Sequence, residues 1–524
     1  MNRSRKLLGT LTAAAMTMSA FAGMSVSAAE YDMMNPPIVE VEQGQLRGYM
    51  DEGTYAFLGV PYASVSERFA MPEKPESWEG VRDAQAYGPI CPIPKQTTVG
   101  ADEMVWPHRY WIQNEDCEVL NIWTQSLDTS AKKPVMVFLH GGGFTNGSSI
   151  ESAAYEGRNL SEFGDVVVVT LNHRLNALGY LDLSAYGEEY QESVNAGVAD
   201  MVEALKWIQA NIEVFGGDPD NVTIFGQSGG GRKVMSILHC PDAEGLVDKA
   251  IIQSSNMTFN TRENSQAVAA QTLANLGLDE TQVEELKTVP VDDLIAAATE
   301  ALSQVGAAWI PVLDDGYLSA DYCDWAADVP IMVGSVFTEQ TSTFKVGDGR
   351  KNEWSDEEIK ANMTEKYGDK ADAILEEFAK VFPEKNVADA YFYAPSYRIN
   401  VQKELEQKLE EGTAPVFNYL FAYEAPVNGG TTAFHCSDLI YAFHNVEIPI
   451  VTRATGGSGN TDALKMQDTV ATAWVNFAKT GNPSQEGLEW LPYTPEEPNV
   501  MFLDVESRCG LLGDETLNEL MTAK

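Results

Sequence analysis

The chain has 524 residues, of which 44% are hydrophobic, so it is long enough to bury a large core. At roughly 150 residues per domain this length would give about three domains, although one large α/β domain also reaches this size. The formal charge of −42 predicts repulsion from nucleic acid and from anionic membranes, and is typical of a highly soluble protein.

The first thirty residues have the pattern of a secretory signal peptide. Three basic residues precede an uncharged run over 7–29, which is rich in Ala, Met, Ser and Thr and ends in small residues. The run reaches the length of a membrane span, about 20 residues, but its many Ser, Thr and Gly residues favour a cleaved signal over an anchor. We predict a signal peptide over 1–29, export of the mature protein, and a single domain over 30–524. Cleavage would remove only the three positive charges and change the formal charge from −42 to −45.

The cysteines lie in the predicted mature part, where export permits disulfides. They are Cys91, Cys117, Cys240, Cys323, Cys436 and Cys509. None forms a C-x-x-C pair, and H-E-x-x-H is absent, so the chain has neither a zinc-ribbon nor a thioredoxin-type motif. The sequence predicts no metal site and no cofactor.

Between residues 134 and 230, apolar runs of strand length alternate with helical patterns. Residues 134–139 and 165–170 are continuous apolar runs, 199–214 has apolar residues at helical spacing, and 221–225 is a third strand. Continuous Val and Ile runs alternating with amphipathic helices favour a mostly parallel central sheet covered by helices on both faces, an α/β fold.

The later part of the chain continues this pattern. Residues 330–333 and 416–421 are predicted strands of the same sheet. Between them, 356–381 is strongly charged and helical, which predicts an outer or capping layer. Residues 468–479 are predicted to form a late packing helix.

The stretch I-F-G-Q-S-G-G-G-R-K over 224–233 permits two interpretations. A phosphate-binding loop of the G-x-x-x-x-G-K-[ST] type would begin at Gly226 and require Lys followed by Ser or Thr after Gly231. The chain has Arg232 and Lys233 there, so the hydroxyl that would hold magnesium is missing. The phosphate interpretation fails.

The second interpretation is the G-x-S-x-G turn that presents a nucleophilic serine between a strand and a helix. Gly226 and Gly230 flank Ser228 at the required spacing, and a clear strand precedes them. The motif also occurs by chance, so a Gly-rich connection without chemistry is the alternative. The catalytic hypothesis must therefore also supply a base, an acid and oxyanion donors.

A serine nucleophile requires a histidine base held by a carboxylate, in the chain order serine, acid, histidine. His239 lies on the predicted helix after Ser228, roughly 16 Å away at 1.5 Å per residue. His435 follows a strand on a loop, which suits a base better than His444 at the end of a short helix. The histidines that precede the serine are out of order, namely His108, His140 and His173.

The acid should follow a strand between the serine and the base. Glu339 comes shortly after the predicted strand at 330–333. Asp314 and Asp315, which follow another apolar run, are alternatives that position alone leaves open. Most acidic residues in so acidic a chain are simply solvated.

The oxyanion of the reaction requires backbone N–H donors. Gly229 follows the serine and provides one. The loop H-G-G-G-F over 140–144 follows a predicted strand and is of the type that provides the others. Two independent motifs at compatible positions favour a hydrolase.

Several further motifs extend from one end of the predicted mature chain to the other. They are F-L-G-V-P-Y-A over 57–63, E-D-C-E-V-L-N over 115–121, N-H-R-L over 172–175, F-G-G-D-P-D-N-V over 215–222 and T-G-N-P over 480–483. With the serine and glycine motifs, they make the sequence resemble the type-B carboxylesterase family, relatives of cholinesterases within the α/β-hydrolase fold.

The resemblance implies a role for particular residues. The triad would be Ser228, Glu339 and His435, and the oxyanion donors would be Gly142, Gly143 and Gly229. The resemblance thus selects Glu339 as the acid, and it also implies a disulfide between Cys91 and Cys117. The other four cysteines receive no assignment.

Three positions depart from the family pattern. Gln227 stands where glutamate usually precedes the serine, which removes a negative charge near the base and predicts an altered pH response with activity retained. Cys436 follows the histidine where glycine is common, and Gln340 follows the acid where glycine is usual.

These observations predict a secreted carboxylic ester hydrolase that acts on a small-molecule ester through an acyl-enzyme. An esterase for aromatic, hydroxycinnamoyl-type esters is one alternative, and Trp106, Tyr110 and Trp111 are candidates to line its entrance. A cholinesterase-like binding protein without catalysis is another, disfavoured because all three triad residues are present. No nucleic-acid or membrane partner is expected after signal cleavage.

Overall fold

The computed structural model describes residues 36–98, 100, 103, 106–255, 258–313, 316–340, 350–427 and 429–523. The predicted signal peptide over 1–29 and the alternative acids Asp314 and Asp315 lie outside these ranges. No helix within the ranges combines the length and apolar character needed to cross a membrane.

Strands occur along the whole described chain. They are β1 (Ile38–Val41), β2 (Gly44–Arg47), β3 (Tyr49–Asp51), β4 (Thr54–Pro61), β5 (Val81–Asp83), β6 (Val119–Thr124), β7 (Lys133–Leu139), β8 (Val167–Leu171), β9 (Gly217–Gln227), β10 (Lys249–Gln253), β11 (Ile331–Val336), β12 (Val416–Phe421), β13 (Asn499–Leu503) and β14 (Arg508–Leu511).

Helices separate most of the strands, with short 3₁₀ helices in several connections. The α-helices are α1 (Arg158–Gly164), α2 (Asn176–Tyr180), α3 (Ala196–Asn211), α4 (Gly229–Leu238), α5 (Arg262–Asn275), α6 (Val291–Val305), α7 (Asp356–Tyr367), α8 (Ala371–Val381), α9 (Pro395–Glu411), α10 (Ser437–Ala442), α11 (Thr452–Thr455), α12 (Thr461–Thr480) and α13 (Glu515–Thr522).

One large sheet contains most of the strands. Its order is β3-β4-β6-β8-β7-β9-β10-β11-β12-β13-β14. The strands from β8 to β13 in this order pair in parallel, and the strands at both ends pair antiparallel. A small second sheet joins β1, β2 and β5. The predicted mostly parallel sheet is confirmed.

Successive residues of a strand point to opposite faces of the sheet. A strand whose residues are all buried therefore contributes to the core on both faces. In β7, Val135 and Val137 belong to one apolar core, whereas Met136 and Phe138 belong to the core on the other face. Helices α3 and α4 cover the first face, and α10 and α12 cover the second. This arrangement explains the continuous apolar runs in the sequence.

The elements predicted from apolar patterns are all present, most of them within four residues of their expected bounds, although the helix predicted over 468–479 begins earlier, as α12 (Thr461–Thr480). The run at 134–139 is β7, the run at 165–170 is β8, and the run at 416–421 is β12. The charged region at 356–381 forms α7 and α8 rather than one helix, since residues 368–370 form a 3₁₀ turn between them.

Candidate active site

The chain turns sharply at Ser228, between the end of β9 and the start of α4. Ser228 has φ 58° and ψ −121°, a backbone conformation that costs free energy for a residue with a side chain. Its N–H donates to the carbonyl oxygen of Gln253 at the end of β10 (2.9 Å), and its own carbonyl accepts from Ser255 Oγ (3.0 Å). These contacts hold the strained turn that the G-x-S-x-G motif predicted.

The glycines around the serine are required because there is no room for a Cβ atom at these positions. A Cβ on Gly226 would lie 2.5 Å from the backbone of Gly230, and one on Gly230 would lie 2.0 Å from the carbonyl oxygen of Leu139. Real Cβ atoms do not approach so closely. The first turn of α4 is therefore packed backbone against backbone on the end of β7.

The glycine loop after β7 lies beside this turn. Gly142 and Gly143 have φ of 83° and 64°, a region that favours glycine. The loop is closed by N–H groups of Thr145 and Asn146, which donate to the carbonyl oxygen of Gly142 (3.3 and 3.2 Å). A Cβ on Gly229 would lie 2.3 Å from the nitrogen of Gly143. The predicted oxyanion residues of the two motifs are thus neighbours.

His435 and Glu339 form a close pair. His435 Nδ1 lies 2.5 Å from Glu339 Oε2, and the other carboxylate oxygen accepts from the N–H of Val336 (3.0 Å). The N–H of His435 also donates to the carbonyl oxygen of Glu339 (3.0 Å). Glu339 is 1% exposed, so its carboxylate is fixed within the protein. The structure brings together the predicted base and acid.

Gln227 connects the serine turn to the histidine. Its Nε2 lies 3.2 Å from Nε2 and 3.3 Å from Nδ1 of His435, and its Oε1 accepts from Cys436 Sγ (3.1 Å). Gln227 directly precedes Ser228, and both Ser228 and His435 line the same cavity. Two of the residues that depart from the family pattern therefore contact each other against the histidine.

A cavity of about 550 Å³ opens over these groups. This volume lies within the usual range of small-molecule sites. The residues of the predicted triad all line it, as do Gly142 and Gly143. The aromatic residues among its described lining are Trp106, Tyr110, Tyr155 and Phe434.

The aromatic residues predicted at the entrance have different positions. Trp106 is 5% exposed, and its ring contacts the rings of Tyr155 and Phe434 with centroids 6.1 and 6.3 Å apart. Tyr110 is 57% exposed and lies at the cavity opening. Trp111 is not among the described residues that line the cavity, and its ring meets that of Tyr87 edge-on.

His108, which chain order excluded as the base, lines the same cavity. Its Nδ1 lies 2.7 Å from Glu103 Oε1 and its Nε2 lies 3.5 Å from Glu151 Oε1. Burial disfavours the ionised form of Glu103, but hydrogen bonds from His108 and Tyr110 hold its pKa below the ordinary value. Both ring nitrogens of His108 are thus engaged by carboxylates of the cavity wall.

The remaining histidines lie in other surroundings. His140 and His173 are buried and stacked, with ring centroids 5.1 Å apart, and burial lowers the pKa of each well below its ordinary value. His444 is bound to Asp468 (2.7 Å) on α12. His239 stacks on the ring of Tyr322. Chain order, the distance along the helix and the loop position together therefore selected the histidine that the structure pairs with Glu339.

Two buried ionisable residues near the site were not identified as such from the sequence. Lys233 on α4 is 0% exposed and donates from Nζ to the carbonyl oxygen of His140 (2.8 Å). Asp438 on α10 is 0% exposed, and its Oδ2 accepts from Gln253 Nε2 and from the Tyr419 hydroxyl, both at 2.9 Å. The sequence contains one indication of them, since Lys233 follows Ser228, and Asp438 follows His435, by a few positions.

The predicted disulfide between Cys91 and Cys117 is not formed in the structure, where both residues are free, buried thiols. Burial, together with a hydrogen bond to Cys91, raises the pKa of Cys117 well above its ordinary value. The Cys91 sulfur also accepts from the N–H of Leu175 (3.2 Å). The two thiols are thus neighbours with polar partners of their own, and the covalent pairing stays a prediction for the oxidised protein.

A family model described as the carboxylesterase family matches residues 35–519. The chain belongs to this family. The prediction from the sequence motifs is confirmed, and with it the α/β-hydrolase fold and an ester-hydrolysing activity of the serine type.

Named relatives of this carboxylesterase include an esterase and another hydrolase. It is 34% identical to para-nitrobenzyl esterase of Bacillus subtilis (strain 168), over 90% of this chain and 96% of that protein. It is 29% identical to phenmedipham hydrolase of Pseudarthrobacter oxydans, over the same shares of the two chains. Among solved structures it is similar to an esterase from anaerobic Clostridium hathewayi that can hydrolyze aliphatic aromatic polyesters. The two share 41% identity with a TM-score of 0.87, covering 94% of this chain and 98% of that one.

The burial of Asp438 predicts a pH-dependent stability of this carboxylesterase. Burial raises the pKa of Asp438 to about 6 from 3.8, and hydrogen bonds from Gln253 and Tyr419 oppose the shift. An acid whose pKa is higher in the folded state stabilises the fold below its unfolded pKa, and this contribution is lost as pH rises through about 6. Relative to Asp438→Asn, the wild type should lose about 2 kcal/mol of unfolding free energy between pH 4 and 7.

Urea denaturation of both proteins across this pH range measures the difference. Asp369→Asn, which changes an exposed carboxyl, serves as the matched control and should follow the wild type at every pH. A constant difference between the wild type and Asp438→Asn would contradict the prediction.

Proposed function

We propose that this enzyme hydrolyses carboxylic esters through a Ser228–His435–Glu339 triad and an acyl-enzyme. The observation that carries the proposal is the 2.5 Å contact between His435 Nδ1 and the buried Glu339 carboxylate, in the cavity that Ser228 also lines. An imidazole held in this way presents its other nitrogen as a proton acceptor. Three residues far apart in sequence thus meet where an ester could bind.

The first half of the reaction forms the acyl-enzyme. Ser228 Oγ attacks the ester carbonyl carbon while His435 takes the hydroxyl proton, and Glu339 stabilises the resulting imidazolium. The carbonyl electron pair moves onto oxygen, which becomes an oxyanion. When the intermediate collapses, the bond to the alcohol breaks and His435 gives the proton to the leaving alcohol.

The second half releases the acid. Water attacks the acyl carbon as His435 takes its proton, a second oxyanion forms, and the bond to Ser228 breaks as His435 returns the proton to the serine. The products are a carboxylic acid and an alcohol, and the enzyme is restored. All proton transfers use one imidazole, that of His435.

The N–H groups of Gly142, Gly143 and Gly229 are proposed to bind the oxyanion. The proposal is supported by the close approach of Gly229 to Gly143 and by the position of Gly229 in the first turn of α4. The first turn of a helix has free N–H groups and the positive end of the helix dipole. A donor of this kind contributes roughly 3–4 kcal/mol to the transition state.

The cavity favours esters with an aromatic group. Trp106, Tyr155 and Phe434 form an edge-to-face cluster on its wall, which suits a flat ring. The similar esterase from Clostridium hathewayi can hydrolyze aliphatic aromatic polyesters. Aromatic esters, including the hydroxycinnamoyl type that the sequence left as an alternative, are therefore the proposed preferred substrates over acetate esters of aliphatic alcohols.

Export of the enzyme is part of the proposal and is supported by the signal-peptide pattern over 1–29. The strongly acidic composition is compatible with a highly soluble extracellular enzyme. A binding protein without catalysis is disfavoured, because such a protein has no need of an aligned His435–Glu339 pair.

Replacing the nucleophile tests the catalytic proposal. Ser228→Ala should lower kcat for p-nitrophenyl acetate by at least about 10³-fold, because no other group can form the acyl-enzyme. The variant should also lose covalent labelling by a fluorophosphonate probe. Ser236→Ala on the same helix removes a buried hydroxyl that donates only to the carbonyl of Arg232 (2.9 Å), and it should retain both properties. Full activity in Ser228→Ala would contradict the triad.

Gln227→Glu tests the electrostatics around the base. A carboxylate at this position would lie against the imidazole ring and stabilise its protonated form, which cannot accept the serine proton. The acidic limb of the pH profile of kcat/KM should therefore move to higher pH by roughly one unit. Gln227→Met keeps the length without the charge and should leave the limb unchanged. An unshifted limb in Gln227→Glu would contradict the placement of this side chain.

Trp106→Ala tests the aromatic wall. The variant should lose roughly tenfold in kcat/KM for p-nitrophenyl benzoate, while kcat/KM for p-nitrophenyl acetate changes less than threefold, because the benzoyl ring is the group that the two substrates do not share and that we propose to pack on the indole. Trp111→Ala, which removes an indole outside the described cavity lining, should leave the ratio of the two substrates unchanged. Equal losses on both substrates would contradict a role in aromatic selection.

A further inference from the structure

Lys233 is a buried cation that the proposed reaction does not use. It lies on α4, the helix that begins directly after Ser228, and its side chain is 0% exposed. Its Nζ donates to the carbonyl oxygen of His140 (2.8 Å) and lies 3.5 Å from Nδ1 of the same residue. His140 directly follows Leu139, the last residue of β7, and is where the glycine loop begins.

The position of Lys233 on the helix explains this contact. Residues three and four apart share a helix face, so Lys233 lies on the same face as Gly229 and Gly230. Gly229 touches Gly143, and Gly230 touches Leu139. The ammonium thus adds a third contact between α4 and the region of the glycine loop. This contact is a hydrogen bond to the first peptide of the loop.

Among the described residues, the titratable groups that interact with the ammonium include Glu151, Cys91, His140 and His173. Burial lowers the pKa of Lys233 to about 7, and the negative charge of the Glu151 carboxylate opposes the shift. His140 and His173 have pKa values lowered well below the ordinary value by burial, followed by the charge of Lys233, so they stay neutral where Lys233 titrates.

A buried ammonium is costly unless it does something that an apolar side chain could not do. Removing its hydration costs several kcal/mol, whereas a methionine of similar length would fill the same space without that cost. What methionine could not supply is a hydrogen bond to the carbonyl oxygen of His140. The function of this buried ammonium is therefore expected to lie in its hydrogen bond to the glycine loop.

We propose that Lys233 is a positioning residue, which holds the loop over 140–143 so that its N–H groups are aimed at the oxyanion. The inference rests on the proposed function, because it assigns Lys233 to the oxyanion loop of that reaction. Oxyanion donors act only when they lie about 2.7–3.1 Å from the developing charge, so a small displacement of the loop weakens the transition state more than the bound ester. The loss should consequently appear in kcat and hardly in KM.

The test compares Lys233→Met with the wild type and with Lys408→Met. Lys408 is the matched control, since it is also a buried lysine that donates to a backbone carbonyl, that of Ala327 (2.8 Å), and lies on α9 away from the cavity. With p-nitrophenyl acetate, Lys233→Met should lose 10- to 100-fold in kcat with KM changed less than about threefold. Lys408→Met should keep the kcat of the wild type.

Two further measurements separate positioning from a general structural role. The affinity of an aryl trifluoromethyl ketone, which forms an oxyanion on Ser228, should fall by the same factor as kcat, while the affinity of benzoate should not change. The ratio of wild-type to Lys233→Met kcat should also be larger at pH 6 than at pH 9, because the ammonium binds the carbonyl more strongly than the amine does. Effects on His435 are common to both proteins and cancel in the ratio.

The outcomes are distinct. A kcat of Lys233→Met within twofold of the wild type, or an equal loss in Lys408→Met, would overturn the inference. If Lys233→Met does not fold, Lys233→Gln replaces it and should lose at least threefold in kcat and in ketone affinity, and unchanged values would overturn the inference. Activity retained by Ser228→Ala would instead contradict the triad itself, so the two failures are distinguishable.

Discussion

The first turn of α4 touches the end of β7 with no side chain between the two backbones. A Cβ on Gly230 would lie 2.0 Å from the carbonyl oxygen of Leu139, and one on Gly229 would lie 2.3 Å from the nitrogen of Gly143. Because this space is empty of side chains, the helix N-terminus comes directly beside the glycine loop. The left-handed backbone of Ser228 follows from the same crowding, since the chain must leave β9 and enter the helix within one residue.

The parallel sheet supplies the other half of the site. Strands β11 and β12 are neighbours in parallel, so the segments that follow them leave the same edge of the sheet. Glu339 and His435 are on those segments and pair with each other through side chains and backbone. The parallel pairing of the two strands brings together residues that are distant in sequence. It explains why a carboxylate and an imidazole separated by 96 positions can be held within 2.5 Å.

Polar groups buried around the site keep its geometry at an electrostatic cost. Lys233 and Asp438 are both fully buried. Burial lowers the pKa of Lys233 and raises that of Asp438, which favours the neutral form of each side chain. Each forms hydrogen bonds to an element that carries part of the site, Lys233 to the start of the glycine loop and Asp438 to the end of β10 and to β12. Gln227 adds a neutral contact to His435 where a carboxylate would add charge.

The sequence by itself predicted the fold and most of the candidate site, because both leave local patterns in the chain. Apolar runs located β7 and β8, the G-x-S-x-G spacing located Ser228, and chain order with elimination located His435. Position alone did not separate Glu339 from two aspartates, since which acid reaches the imidazole depends on how distant segments pack, and family resemblance made that choice. Only the tertiary structure placed Trp106 in the cavity and Trp111 outside the described part of its wall. It alone gave Lys233 a partner on the glycine loop, because hydrogen bonds between residues 93 positions apart leave no periodic signal in the sequence.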